Sequence, residues 1–297
     1  MSVSIITIET PTLGDRSYLA HDGQVAVVVD PQRDVDRVLA VAAEAGVRIT
    51  HVVETHVHND YVTGGLALAR VTGATYALNR DDEVGFARLG LGDGEVLEVS
   101  ERMRLQVIAT PGHTFTHLSY ALQSRFGDGA WRAEAVFTGG SLLFGATGRP
   151  DLLGADQAEA LAHHQHASVH RLVDELPETA EVLPTHGFGS FCSAGSTGGA
   201  TSSTIGRERR SNPAVTQDAA RWVADTLAGL DAYPAYYAHM APANSRGPSA
   251  ADLTAPMPAD RGSVARRIAA GDWVVDLRTR AAYADAHVSG TLNIGLD

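Results

Sequence analysis

The chain has a single cysteine, Cys192, among 297 residues. A disulfide within the chain is therefore excluded, and the composition suits a reducing, cytoplasmic compartment. Long apolar runs are missing too, since none approaches the roughly 20 residues that a bilayer-spanning helix needs. The opening residues, Met1 to Thr10, do not follow the basic-then-apolar pattern of a secretory signal. A cytoplasmic protein with no membrane attachment is the expectation. Basic residues are scarce: Lys and Arg number 23 against 35 Asp and Glu, for a formal net charge of −12. Such a surface repels nucleic acid and anionic membrane, and leaves a small molecule as the expected partner.

What is present is an ordinary globular balance, 44 % hydrophobic and 20 % charged, in a chain long enough for one large core or two domains. Strands are expected at Ser4–Ile8 and Val25–Val29, both β-branched, the second stopped by Asp30-Pro31. Val35, Val38, Leu39 and Ala42 recur at helical spacing over 34–45, with Gly46 as the stop. A strand over Ile49–Val53 delivers Thr55-His56-Val57-His58-Asn59-Asp60, and Gly64-Gly65 opens a short helix over Leu66–Arg70. Strands over Leu105–Ala109, Ala135–Thr138 and Glu181–Leu183 run into Pro111-Gly112-His113, Gly139-Gly140 and Pro184-Thr185-His186-Gly187. Between them lies a long helix, 156–176. A loop over 193–203, a helix over 212–230 and a Pro/Ala/Tyr-rich stretch follow, and then a strand–helix–strand pattern from Asp272 onward. Histidine-bearing segments thus repeatedly follow strand ends, where α/β folds gather ligand sites.

His-x-His-x-Asp at 56, 58 and 60 is the strongest chemical signal. Imidazole nitrogen and carboxylate oxygen suit zinc, iron and manganese. Taken alone, His-x-His reads as a polar turn, and so do Pro-Gly-His at 111–113 and Thr-His-Gly at 185–187. Three such loops in one chain, each after a strand, point instead to one metal site. Gly112 adds the backbone freedom that lets His113 approach an ion.

The ordered set Thr-His-x-His-x-Asp, Pro-Gly-His-Thr, Thr-Gly-x-x-Leu, Gly-Arg-Pro-Asp-Leu and Pro-Thr-His-Gly resembles the metallo-β-lactamase superfamily, in its glyoxalase II and persulfide dioxygenase branch. The likeness covers roughly residues 1–240. The tail, with Val274-Val275-Asp276-Leu277-Arg278 and His287-Val288-Ser289-Gly290, resembles the first part of a rhodanese domain. The resemblance implies an α/β protein: an αββα sandwich over 1–240, a linker over 241–271 and an incomplete rhodanese-like α/β segment over 272–297. It implies that His56, His58 and His113 hold one metal, and that Asp60 and His186 belong to a second position. One divalent ion, Fe(II) or Zn(II), is the expected cofactor, with Asp60 also the catalytic carboxylate. Arg149 and Tyr61 are the expected substrate-binding residues, and a homodimer is a compatible assembly.

Two positions depart from the pattern. Tyr61 stands where the hydrolases have a histidine, and a neutral phenol is a poor ligand. Gly140 stands where an aspartate bridges two metals in hydrolases or completes the iron triad in dioxygenases. Three readings follow. One is an iron-dependent persulfide dioxygenase giving sulfite and thiol, motivated by the rhodanese-like tail. The second is a metallo-hydrolase of the thioesterase type, and the third is a metal-impaired module binding a sulfur carrier or partner. Other residues have plainer explanations beside the functional ones. For Arg149 this is a salt bridge to Asp151, for Thr114 and Thr116 turn roles, and for Cys192 simple burial. His163, His164, His166 and His170 read as a solvated helix face, and Tyr233, Tyr236 and Tyr237 as packing.

Overall fold

A computed structural model of the protein describes residues 3–195 and 199–295. The chain forms two compact units, Met1–Ala251 and Asp252–Asp297. In the first, β1 (Ser4–Thr10), β2 (Asp15–His21), β3 (Val25–Val29), β4 (Arg48–Val53), β5 (Thr75–Asn79) and β6 (Leu89–Leu91) form one sheet in that order. A second sheet takes the order β12-β11-β10-β9-β8-β7. Its strands are β7 (Val96–Glu98), β8 (Met103–Ala109), β9 (Leu118–Arg125), β10 (Trp131–Gly139), β11 (Glu181–Pro184) and β12 (Ser203–Thr204). Helices α1 (Val35–Glu44), α2 (Gly65–Thr72), α3 (Ala158–Glu175), α4 (Ile205–Ser211), α5 (Pro213–Thr216), α6 (Ala219–Ala228) and α7 (Tyr237–Arg246) complete this unit.

Successive strand residues point to opposite faces, and this alternation builds the layers. Val27 and Val29 of β3 join Leu105 and Val107 of β8 and Phe137 of β10 in one core between the sheets. Ala26 and Val28 face the other way, against Val35 and Val38 of α1 and Leu66 of α2. Behind the second sheet, Val136 and Val182 meet Val169 and Leu172 of α3 and Trp222 of α6. This is the αββα sandwich that the resemblance implied. Tyr18 and Phe137 cross the midline with ring centroids 5.4 Å apart, and the Tyr18 hydroxyl donates to the Pro184 carbonyl at 2.6 Å.

The expected strands and helices overlap observed elements, with four adjustments. The helix expected over 212–230 breaks into α5 and α6, because Asn212 and Asp218 each cap a new start by accepting from Ala214 N–H and Arg221 N–H. The first unit extends past residue 240. Asn244 of α7 ties itself to the metal-motif loop, donating to the carbonyls of His58 and Tyr61 at 2.9 Å each and accepting from Thr63 N–H at 3.0 Å. The stretch read as a linker over 241–271 therefore carries the end of α7 and also α8 (Arg261–Ala269). Of the loop expected over 193–203, residues 196–198 lie outside the described residues, and Ser203 already belongs to β12. In the second unit, β13 (Val275–Asp276) and β14 (Leu292–Asn293) pair in parallel, with α9 (Arg280–Asp285) between them in sequence. Residues 296–297 of the expected tail segment are outside the described residues. Among the described residues, no helix is long and apolar enough to cross a membrane.

Phe137 is fully buried between the sheets. Phe137→Ala should cost about 3–5 kcal/mol, read as a lower urea midpoint at unchanged slope.

Candidate metal centre

Strand direction brings the chemistry to one edge. The ends of β3, β4, β8 and β11 deliver Asp30, Thr55–Asp60, Thr110–His113 and Thr185-His186. Strand β2 runs antiparallel to β3, so its first residue, Asp15, returns to that same edge. His56, His58, Asp60, His113 and His186 are all buried there, with Asp15, Asp30, Glu54 and His117.

Four imidazoles each turn one nitrogen outward to a protein acceptor, and these partners assign the tautomers. His56 Nδ1 lies 2.9 Å from Thr55 Oγ1, which itself donates to Asp30 Oδ2 at 2.7 Å, so His56 Nδ1–H is the donor. His58 Nε2 faces Glu54 Oε2 at 3.2 Å, Asp30 Oδ1 at 3.3 Å and the Tyr61 hydroxyl at 3.0 Å. His113 Nδ1 donates to the Arg149 carbonyl at 2.9 Å, and His186 Nδ1 to Asp15 Oδ1 at 2.9 Å. The inner nitrogens are then left over. His58 Nδ1 and His113 Nε2 are buried without a hydrogen-bond partner, as are both carboxylate oxygens of Asp60. His56 Nε2 and His186 Nε2 stand 3.4 Å apart, within reach of one shared proton or one shared ion. Two nitrogens on one tetrahedral ion at ~2.0–2.1 Å are separated by about 3.4 Å. Outer nitrogens pinned and inner lone pairs unsatisfied is the pattern of metal-binding histidines. The donor set therefore fits a divalent cation.

His56, His58 and His186 bring their ligand atoms within 4.8 Å of one another, and so do the two sets His113–His186–Cys192 and Asp15–Asp60–His186. His186 is the member they share. The resemblance grouped His56 and His58 with His113; in the structure His186 also lies within reach of that pair. His113 has its ring centroid 4.8 Å from that of His56.

Position 140 explains part of this. A Cβ on Gly140 would lie 2.3 Å from His113 Cδ2 and 2.6 Å from Cγ, so the His113 ring occupies the space that a side chain there would need. The Gly140 N–H instead donates to His117 Nε2 at 3.0 Å. His117 Nδ1 is paired with Thr110 Oγ1 at 2.9 Å, which leaves His117 no free nitrogen for an ion. Its ring stacks on His56 at 5.0 Å.

Electrostatics separate the histidines. Burial, then the charge on His186, presses the His113 pKa down to about 3, which keeps it neutral. Burial also lowers that of His58, but the flanking Asp30 and Glu54 carboxylates outweigh it and hold it up at about 10. Ion and proton therefore compete for His58 Nδ1.

The other expected residues fare differently. Arg149 is 3 % exposed and committed: its guanidinium forms a bidentate pair with Asp151 at 2.6 and 2.8 Å and donates to the carbonyls of Phe191 and Asp231. That is the structural alternative, and it presents no free cation to an anionic substrate. Tyr61 is buried with its ring 4.4 Å from that of His58 and its hydroxyl on His58, so it supports a ligand rather than facing a cavity. Thr116 donates to Asp82 at 2.5 Å, away from the histidines. Cys192 is buried as expected, yet its sulfur lies beside His113 and His186. On α3, His163 and His164 are exposed, whereas His166 and His170 are half-buried, His166 against Trp222 at 5.7 Å.

Sequence reasoning missed Asp15, Asp30, Glu54 and His117. Glu54 and Asp30 had faint signals, one directly preceding the motif and the other ending a strand. Asp15 had none, being 171 residues from its partner His186.

Two outcomes are expected. Zinc binding should release about two protons, one each from His58 and His186, so affinity should fall about a hundredfold for each pH unit below neutrality, measured by titration calorimetry in buffers of differing ionisation enthalpy. Gly140→Asp should not restore a ligand; it should displace His113, lower bound metal on elemental analysis and cost about 1–3 kcal/mol.

Comparisons with known proteins agree with this architecture. Residues 13–195 match the family model described as the metallo-beta-lactamase superfamily. The bovine (Bos taurus) mitochondrial persulfide dioxygenase ETHE1 is 31 % identical over 213 residues, covering 70 % of this chain and 71 % of that protein. A hydroxyacylglutathione hydrolase of Acidiphilium cryptum is 36 % identical over 123 residues, 40 % of this chain and 48 % of its own length. A crystal structure titled as a metallo-beta-lactamase from Staphylococcus aureus superposes with a TM-score of 0.82 at 28 % identity, covering 100 % of this chain and 86 % of that one. Fold, histidine loops and sequence match together make the chain a member of the metallo-β-lactamase superfamily.

Proposed function

We propose that the protein is an iron-dependent persulfide dioxygenase acting on a low-molecular-weight persulfide of the glutathione type. Persulfide, dioxygen and water would give thiol, sulfite and two protons. The observation that carries the reading is Tyr61, which is tied to His58 where the hydrolases have a second-ion histidine, and this favours a single ion. The bovine dioxygenase relative, matched over about 70 % of both chains, supports the same choice.

His56, His58 and His186 would hold the ion, with His113 and Asp60 the nearest further donors. When bound, Fe(II) supplies the redox capacity that side chains lack. The chain's own residues do the rest. Asp30 and Glu54 orient His58, Thr55 orients His56, and the Arg149 carbonyl orients His113. Tyr237 packs its hydroxyl 3.9 Å from Cys192, and the half-exposed Tyr236 ring lies 5.1 Å from that of Tyr237, an aromatic border suited to a thiol carrier. The parallel β13–β14 pair supports reading 272–297 as the start of a rhodanese-like, sulfur-handling domain.

The second reading, thioester hydrolysis, draws on the locally higher identity to the hydroxyacylglutathione hydrolase. Oxygen uptake decides between them. Iron-loaded protein should consume oxygen when glutathione persulfide is added, and His56→Ala should lose about 100-fold or more of that rate. Thioester cleavage by zinc-loaded protein without any oxygen uptake would replace this reading with the hydrolase.

A further inference from the structure

The loss of a carboxylate at position 140 leaves the ion one donor short, and the structure holds a compensating arrangement at the opposite end of the sequence. We propose that Asp15 is a positioning residue that recruits His186 Nε2 into the ion-holding set. This rests on the single-ion reading above and deepens it.

Three observations carry the assignment. First, His186 Nδ1 has two carboxylates near it, Asp15 Oδ1 at 2.9 Å and Asp60 Oδ2 at 3.2 Å. One N–H serves one acceptor, and only Asp15 meets hydrogen-bond geometry; both Asp60 oxygens remain unpartnered. Asp15 therefore holds the Nδ1–H of His186 and leaves Asp60 the looser ion pair with that ring. Secondly, His186 Nε2 is turned onto His56 Nε2, 3.4 Å away, a separation at which the two nitrogens share a proton in the metal-free protein and could share a cation in its place. Thirdly, the segment around Asp15 is zipped to the His186 loop by its backbone. Arg16 N–H donates to the Thr185 carbonyl at 2.8 Å, and Phe188 N–H to the Gly14 carbonyl at 3.0 Å. The approach is close enough that a Cβ on Gly14, which has φ +69°, would fall 2.2 Å from Ser190 N.

A carboxylate behind a ligating imidazole holds the ring's orientation and raises its basicity, and losing such a partner typically weakens metal binding about 10–100-fold. The test is titration of cobalt(II) into the metal-free full chain, read by visible absorption, for wild type, Asp15→Asn, Asp15→Glu and His186→Ala. Wild type should take up one equivalent. Asp15→Asn should bind about 10–100-fold more weakly with an altered ligand-field spectrum, while its metal-free circular dichroism matches wild type. Asp15→Glu, which keeps the acceptor, should recover most of the affinity. A merely structural Asp15 would lower the melting temperature of metal-free protein and leave affinity and spectrum alone, which would overturn the proposal. Wild-type cobalt affinity in His186→Ala would overturn it equally, and this variant decides the matter if Asp15→Asn does not fold. Persulfide-dependent oxygen uptake on the same preparations separates the two readings. Uptake with an unaffected Asp15→Asn defeats only the role of Asp15, and weakened cobalt binding without uptake defeats only the dioxygenase.

Discussion

The centre depends on one buried carboxylate, Asp30. It sits just past the end of β3 with φ +49°, the only described residue other than glycine in the left-handed region. Its oxygens accept from Thr55 N–H and Thr55 Oγ1 at 2.7 Å each, from Thr185 Oγ1, and face His58 Nε2 at 3.3 Å. Its carbonyl accepts from Ser17 Oγ at 2.7 Å. Strand ends from both sheets are thereby drawn onto one side chain. Burial alone would push this carboxyl up, but His58 and the donors around it bring its pKa down to about 2. A buried charge of this kind is tolerable only when fully partnered, so the loops that partner it have little freedom to move.

From that anchor the site follows by a chain of orientation. Asp30 holds Thr55, and Thr55 receives the outer proton of His56. Glu54 shares His58, and is itself bound by Thr63 and by Tyr76 at 3.2 Å. Each outer contact decides which inner nitrogen keeps its lone pair. The orientation of these rings is thus set by residues one step behind them, and Tyr61 and Gly140 act in the same indirect way. Tyr61 becomes a support for His58, and the absence of a side chain at 140 lets the His113 ring close in, while that at 148 lets its N–H reach the Gly140 carbonyl at 2.9 Å.

The candidate metal-binding histidines were legible because they lie in short, turn-bearing motifs after predicted strands, and the β-branched run Val25–Val29 announced a strand, which the structure buries on both faces. Arg149 was legible as a charge but not as a committed one, because its four acceptors come from residues 151, 191 and 231. The break between α5 and α6 was legible in principle, since Asn212 and Asp218 are both strong caps within an otherwise periodic stretch.

Local sequence by itself determined which side chains could bind a metal, that they follow strands, and that position 140 offers no carboxylate. Those are properties of neighbours along the chain. Only the tertiary structure decided which protein group the outer nitrogen of each histidine meets, that His186 lies beside His56 and His58, and that Asp15 stands behind it. The antiparallel return of β2 beside β3 puts Asp15 at the edge where β11 ends. A hydrogen bond across 171 residues has no signature in spacing, because it exists only once the sheets have packed.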